Sequence, residues 1–231
     1  MTISSLVFIS LTSSNIKRNC DVILRMPHFK FPSHYLYWTQ VKDHENIKSK
    51  LLPIIRNLIS SNNYDNPFKN SCNMITNISN MSDFLDNEMK EQIIGKYLEE
   101  MILETGCFPN RKPLDAIIEN YWFNVYEKGD NQEMHQHLAL PSSINGHKYE
   151  VVFSLVYILN SEEENSILFK LPEPFIPFFP VLELCQFDTR SVKEIKEGTL
   201  LIFSNQLSHA VLPIKKSGRT TIAFNVSCRF E

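Results

Sequence analysis

The sequence predicts a mainly β fold with some α: a double-stranded β-helix, or jelly-roll, core buttressed by N-terminal helices. Three observations predict it. The N-terminal half carries apolar residues at helical spacing. From Tyr121 onward the pattern changes to short apolar strands, arriving roughly every ten residues between turn signals. A block of helices followed by a block of strands is the order expected of a two-sheet core covered by helices. Residues 1–118 read as a strand and helical cover and residues 119–231 as the jelly-roll core, the two forming one structural unit.

In chain order, Pro27 to Trp38 interleaves aromatic and polar residues and reads as strand. From Asp43 a helix follows, with Ile47, Leu51, Ile54, Ile55, Leu58 and Ile59 at helical spacing and Asp43 placed to cap it. Pro53 should shorten or kink that helix, because it lacks an N–H and its ring crowds the preceding turn. Ser61 to Asn80, rich in Asn and Ser and containing Pro67, reads as a surface loop. A second helix is expected from Asn87 to Glu104, striped by Met89, Ile93, Ile94, Tyr97, Leu98, Met101 and Ile102 and stopped by Gly106. Strands are expected at Tyr121–Tyr126, His135–Leu138, Tyr149–Leu159, Ser166–Lys170, Thr199–Phe203, His209–Leu212 and Thr220–Arg229. Asn160 to Asn165 reads as an acidic turn. Leu171 to Leu184 is a Pro-rich apolar loop, either a lid or an insertion packed on the barrel rim.

Composition narrows the function classes. Of 231 residues, 43% are hydrophobic and 21% charged, ordinary values for a soluble globular protein. A net charge of −3 gives no sign of a nucleic-acid surface. No apolar run is long enough to span a bilayer, so no membrane partner is expected. The patch Leu6 to Ile9 lacks the flanks of a signal peptide. Five scattered cysteines without a CxxC pair indicate free thiols in a reducing, cytoplasmic compartment. Asn77-Ile-Ser79 and Asn80-Met-Ser82 match the glycosylation pattern and read as accidents of an Asn-rich loop.

The chemistry concentrates in His135-Gln-His137, His209 and, ten residues later, Arg219. Imidazoles at i and i+2 of a strand share a face. A third from a distant strand closes a facial metal site with open positions, a geometry suited to non-haem Fe(II) that must bind a cosubstrate and O₂. Arg219 supplies a planar fork for a carboxylate beside that metal, and Thr221, Ala223 and Asn225 share its strand face. Glu133 lies on the face of His135, so the third ligand is His137, Glu133 or a water. His147 falls in an Asn-Gly turn and reads as solvated, while His28, His34 and His44 show no partner pattern.

Around these residues stand Trp122-Phe-Asn124-Val-Tyr126-Glu-Lys-Gly129-Asp130, a run from Phe203 to His209, and Arg219-Thr-Thr221-Ile-Ala-Phe224-Asn225. Over the C-terminal strand region the chain resembles the 2-oxoglutarate/Fe(II) dioxygenases. More narrowly it resembles an uncharacterised His-x-His branch related to prolyl-hydroxylase-like oxygenases. It departs from the commonest pattern of that superfamily, which has an aspartate where His137 stands. The resemblance implies the jelly-roll fold, Fe(II), 2-oxoglutarate and O₂, and His135, His137 and His209 as metal ligands. It implies that Arg219 binds the distal carboxylate of 2-oxoglutarate, Thr221 adds a hydroxyl and Tyr126 lines the pocket, with Asn124 and Asn225 as weaker candidates. Tyr157 falls one residue from the position of a cosubstrate-binding tyrosine and is left out. The implied reaction hydroxylates an unknown prime substrate, a protein side chain, small molecule or modified nucleotide, while 2-oxoglutarate is decarboxylated to succinate and CO₂. Two alternatives stand beside it: a zinc-dependent hydrolase on the same site, for which Glu133 is the one obvious base, and a non-catalytic jelly-roll binding or structural protein. Oligomeric state is not legible.

Overall fold

The computed structural model describes residues 8–10, 34–61, 74–79, 83–106, 108, 111, 113–137, 141–161, 167–170 and 186–231. In chain order its strands are β1 (Phe8–Ser10), β2 (Leu36–Gln40), β3 (Ile75–Thr76), β4 (Pro113–Tyr126), β5 (Gln132–His135), β6 (Ser142–Ile144), β7 (His147–Asn160), β8 (Ile167–Lys170), β9 (Gln186–Asp188), β10 (Thr199–Ser204), β11 (Ser208–Val211) and β12 (Arg219–Phe230). The helices are α1 (His44–Ser60), α2 (Asn87–Lys90) and α3 (Lys96–Thr105), the last two joined by a π-turn over Glu91–Gly95. A major sheet orders β1-β4-β12-β7-β10-β2, with β3 added to β4 and β6 to β7; a minor sheet orders β5-β11-β8-β9. Every pairing is antiparallel. This is the expected jelly roll with a helical cover.

The period-two rule explains how the two layers share one sheet. Phe153, Leu155, Tyr157 and Leu159 of β7, Leu200 and Ile202 of β10, and Ile222 and Phe224 of β12 face one way. They pack on Ile47, Leu51 and Ile55 of α1 and on Tyr97, Leu98 and Met101 of α3. The alternate residues, Val156, Ile158, Leu201 and Phe203, face the minor sheet and meet Ile167, Phe169 and Val211. Both faces of the major sheet are therefore covered, which is why its central strands read as nearly unbroken apolar runs.

Several local expectations need correction. The first helix runs unbroken through Pro53, since Leu51 and Ile55 remain buried on one face and tertiary packing holds the turn. Asp43 sits at the N-cap in the left-handed region, φ 57°, and its carboxylate accepts from the Asn46 side chain at 2.9 Å instead of a backbone N–H. The second helix is broken by the π-turn; Asp86 caps its start by accepting from the Met89 N–H, and Gly106 ends it at φ 56° as expected. Within the expected loop 61–80 the described segment holds β3, and Met74 and Asn77 are buried. Asn77 is polar for a structural reason: its Oδ1 accepts from the Phe123 N–H at 2.8 Å. β4 starts at Pro113, well before Tyr121. β5 stops at His135, whereas Leu138 and the Pro-rich loop 171–184 lie outside the described residues. The short strands β6 and β9 carried no apolar signal strong enough to read. Among the described residues no helix is long and apolar enough to cross a membrane.

Candidate metal centre

Two neighbouring strands of the minor sheet bring the histidines together. β5 and β11 pair with His135 directly opposite His209, and their ring centroids are 4.2 Å apart. His137 arrives by another route than strand alternation. It lies beyond the end of β5, where its N–H donates to the Asn205 carbonyl at 3.1 Å. That bond turns its ring to centroid distances of 5.2 Å from His135 and 4.9 Å from His209. One ring nitrogen from each residue lies within 4.8 Å of those of the other two.

The outer nitrogens explain where the inner ones point. Nδ1 of His135 lies 2.8 Å from the Glu133 carbonyl oxygen, Nδ1 of His209 3.1 Å from the Leu207 carbonyl oxygen, and Nδ1 of His137 2.8 Å from the Asn225 Oδ1. These acceptors fix each Nδ1 as the donor, so each Nε2 keeps a lone pair. Metal-bound histidines carry this kind of outer contact. The Nε2 atoms of His135 and His137 are 3.2 Å apart. Two nitrogens about 2.1 Å from one divalent ion and at right angles to it stand roughly 3.0 Å apart, so the donor set fits such an ion.

Electrostatics agree with neutral imidazoles. Burial lowers the pKa of His135, and burial first, then the charge that His135 would carry, lowers that of His137 to about 4. Burial, followed by the charges that His135 and His137 would carry, lowers His209 well below the usual imidazole range. Between those folded values and the unfolded value near 6.5 the unfolded chain binds more protons, so stability rises with pH across that window. Metal-free protein is expected to lose thermal stability as pH falls from 7 to 5, and His137→Leu to lose less. Parallel melting curves of the two proteins over that range would contradict this assignment.

The cluster opens into a pocket lined by Trp122, Asn124 and Tyr126 of β4, Arg219, Thr221 and Ala223 of β12, and Val156, Ile167 and Val211. β4 and β12 pair with Arg219 opposite Tyr126 and Thr221 opposite Asn124. Arg219 is only 2% exposed, and its guanidinium lies 5.2 Å from the centre of the Tyr126 ring. A permanent planar cation sealed into a pocket beside three imidazoles fits a small carboxylate ligand. Asn124 is buried in the same wall, and its Oδ1 has no hydrogen-bond partner among the described residues.

Four of the five expected pocket residues, Arg219, Tyr126, Thr221 and Asn124, thus share the wall. Asn225 does not; it stands behind His137 and orients it. Glu133 is exposed and contributes its carbonyl, and its carboxylate is not among the converging groups. Gln132 was missed. It accepts from the Tyr126 hydroxyl at 3.0 Å, and its Nε2 lies 3.3 Å from the His135 Nε2. Strict alternation puts Gln132 on the face opposite His135, and the irregular β5–β11 register brings it in. Tyr157 faces the helices, its hydroxyl 2.6 Å from Nδ1 of His44, so His44 has the partner that its sequence context did not reveal. His147 is exposed, as expected.

No family model and no curated protein matches the sequence. Solved structures do match. A Pseudomonas putida prolyl-4-hydroxylase is 15% identical with a TM-score of 0.51, the match covering 85% of this chain and 93% of that one. The non-haem α-ketoglutarate-dependent carbocyclase SnoK from nogalamycin biosynthesis is 8% identical with a TM-score of 0.54, covering 84% and 79%. The epimerase SnoN from the same biosynthesis is 9% identical with a TM-score of 0.53, covering 84% and 76%. Those enzymes perform different reactions, so the likeness is one of architecture: the chain has the double-stranded β-helix fold of the 2-oxoglutarate/Fe(II) oxygenases.

Proposed function

We propose that the protein is a 2-oxoglutarate- and Fe(II)-dependent oxygenase that hydroxylates a prime substrate. One observation carries the reading: three imidazoles offer neutral Nε2 atoms to one point, and a buried guanidinium stands in the same pocket. His135, His137 and His209 hold the metal. Arg219 takes the distal carboxylate of 2-oxoglutarate, with Thr221 and Asn124 as hydrogen-bonding neighbours and the Tyr126 ring as a wall. Fe(II) with 2-oxoglutarate and O₂ supplies oxidative decarboxylation to succinate and CO₂ coupled to C–H hydroxylation. The chain's own part is to orient and to exclude water. Asn225 and two backbone carbonyls fix the rings, and Val156, Ile167 and Val211 keep the pocket wall apolar.

The hydrolase alternative loses support from Glu133, whose exposed carboxylate lies outside the cluster and cannot serve as its base without moving. It also gives Arg219 no role. Anaerobic addition of Fe(II) and 2-oxoglutarate tests the proposal. A visible charge-transfer band that requires both components is expected, and a featureless spectrum with both present would defeat it.

A further inference from the structure

Strand β5 carries one residue more than the strand beside it. His135 stands opposite His209 and Gln132 opposite Val211, so three steps along β5 match two along β11. Such a bulge re-aims a side chain, and this one brings Gln132 and His135 into the same pocket. The Gln132 amide bridges two groups there. Its Oε1 accepts from the Tyr126 hydroxyl at 3.0 Å, and its Nε2 lies 3.3 Å from Nε2 of His135. Because Nδ1 of His135 is the donor to the Glu133 carbonyl, Nε2 of that ring can only accept, and the amide N–H donates to it.

An imidazole acceptor nitrogen has one lone pair. The lone pair of His135 that holds the Gln132 N–H is the same one that would hold a metal ion at the three converging nitrogens. The two uses exclude each other. A cation at that point therefore releases the N–H, while the Tyr126 hydroxyl keeps the amide oxygen tethered. The freed donor stays in a pocket walled on one side by Val156, Ile167 and Val211, where a donor without an acceptor is unfavourable. A carboxylate beside the ion is a stronger acceptor than the neutral imidazole it replaces.

We infer that Gln132 is a positioning residue whose N–H passes from His135 to the keto-acid carboxylate of 2-oxoglutarate once the metal is in place. It thus opposes binding of the metal alone and favours binding of the cosubstrate to the loaded site. The inference rests on the function proposed above. Gln132→Met keeps the length of the side chain and removes the N–H. Co(II) is titrated into the full-length protein at fixed pH and followed by its visible absorption, and 2-oxoglutarate is then titrated into the cobalt-loaded protein. Cobalt binding should tighten roughly two- to tenfold, since a neutral hydrogen bond no longer competes for the lone pair. Binding of 2-oxoglutarate should weaken about tenfold or more, the loss of one charge-assisted contact. The opposite signs are the signature. A Gln132 that merely packs beside His135 predicts that both affinities fall together or that neither moves. Gln132→Leu, a shorter side chain with no N–H, should give the same two signs, and circular dichroism checks the fold of both variants. A cobalt affinity that falls or holds in the variants, or an unchanged 2-oxoglutarate affinity, overturns the inference while binding of both by the wild-type protein stands. Wild-type protein that binds no cobalt, or binds cobalt but not 2-oxoglutarate, overturns the proposed function instead.

Discussion

His209→Ala is expected to abolish Fe(II)-dependent succinate formation, by on the order of a hundredfold or more, since even loss of an outer contact to a metal ligand costs roughly ten- to a hundredfold. His209 is 4% exposed and is held between the Phe169 and Phe203 rings, with centroid distances of 5.9 and 4.8 Å. Truncation therefore removes both a ligand and a wall of the pocket. The sheet should survive, because the β11 backbone keeps its ladders to β5 and β8. Circular dichroism checks the fold, and iron-dependent turnover checks the chemistry. His147→Ala, at an exposed strand start, is the control and should be silent. Retained turnover in both variants would remove the triad from consideration.

Arg219→Ala should raise the requirement for 2-oxoglutarate far more than the requirement for iron. Its guanidinium is buried in the pocket wall, and among the described residues no other permanently charged cation lines that pocket, the three histidines being kept neutral by burial. Losing one member of a desolvated charge pair costs about 2–5 kcal/mol, much of it from the partner left behind. This amounts to a weakening of roughly thirtyfold or more at 1.4 kcal/mol per decade. Arg219→Lys should recover only part, since an ammonium lacks the planar fork. Titration of 2-oxoglutarate into iron-loaded variants measures both. Unchanged cosubstrate affinity in Arg219→Ala would place the carboxylate elsewhere and favour a metal site without 2-oxoglutarate.

The sheet was legible because burial on both faces leaves long apolar runs in β7, β10 and β12. The helices were legible through their spacing, but not the π-turn within the second, which apolar periodicity does not encode. In the site, His135, His209 and Arg219 were readable from spacing because regular strands present them. His137 was expected from strand alternation, whereas the turn after β5 and the Asn205 carbonyl are what bring it to the cluster. Gln132 and the orienting role of Asn225 depend on strand register between segments far apart in sequence, and local pattern carries no register.

The outer contacts of the three histidines are unequal in kind. His135 and His209 are oriented by main-chain carbonyls, a feature that every amino acid at positions 133 and 207 would supply. His137 alone is oriented by a side chain, Asn225. Heritable variation can therefore adjust the donor strength of this centre directly at one of its three outer contacts, through a single codon. An acidic residue there would draw the Nδ1 proton and make the ring a stronger donor, and an aliphatic one would release it. Under the proposed function, position 225 is where evolution, or an engineer, can retune the metal without touching a ligand.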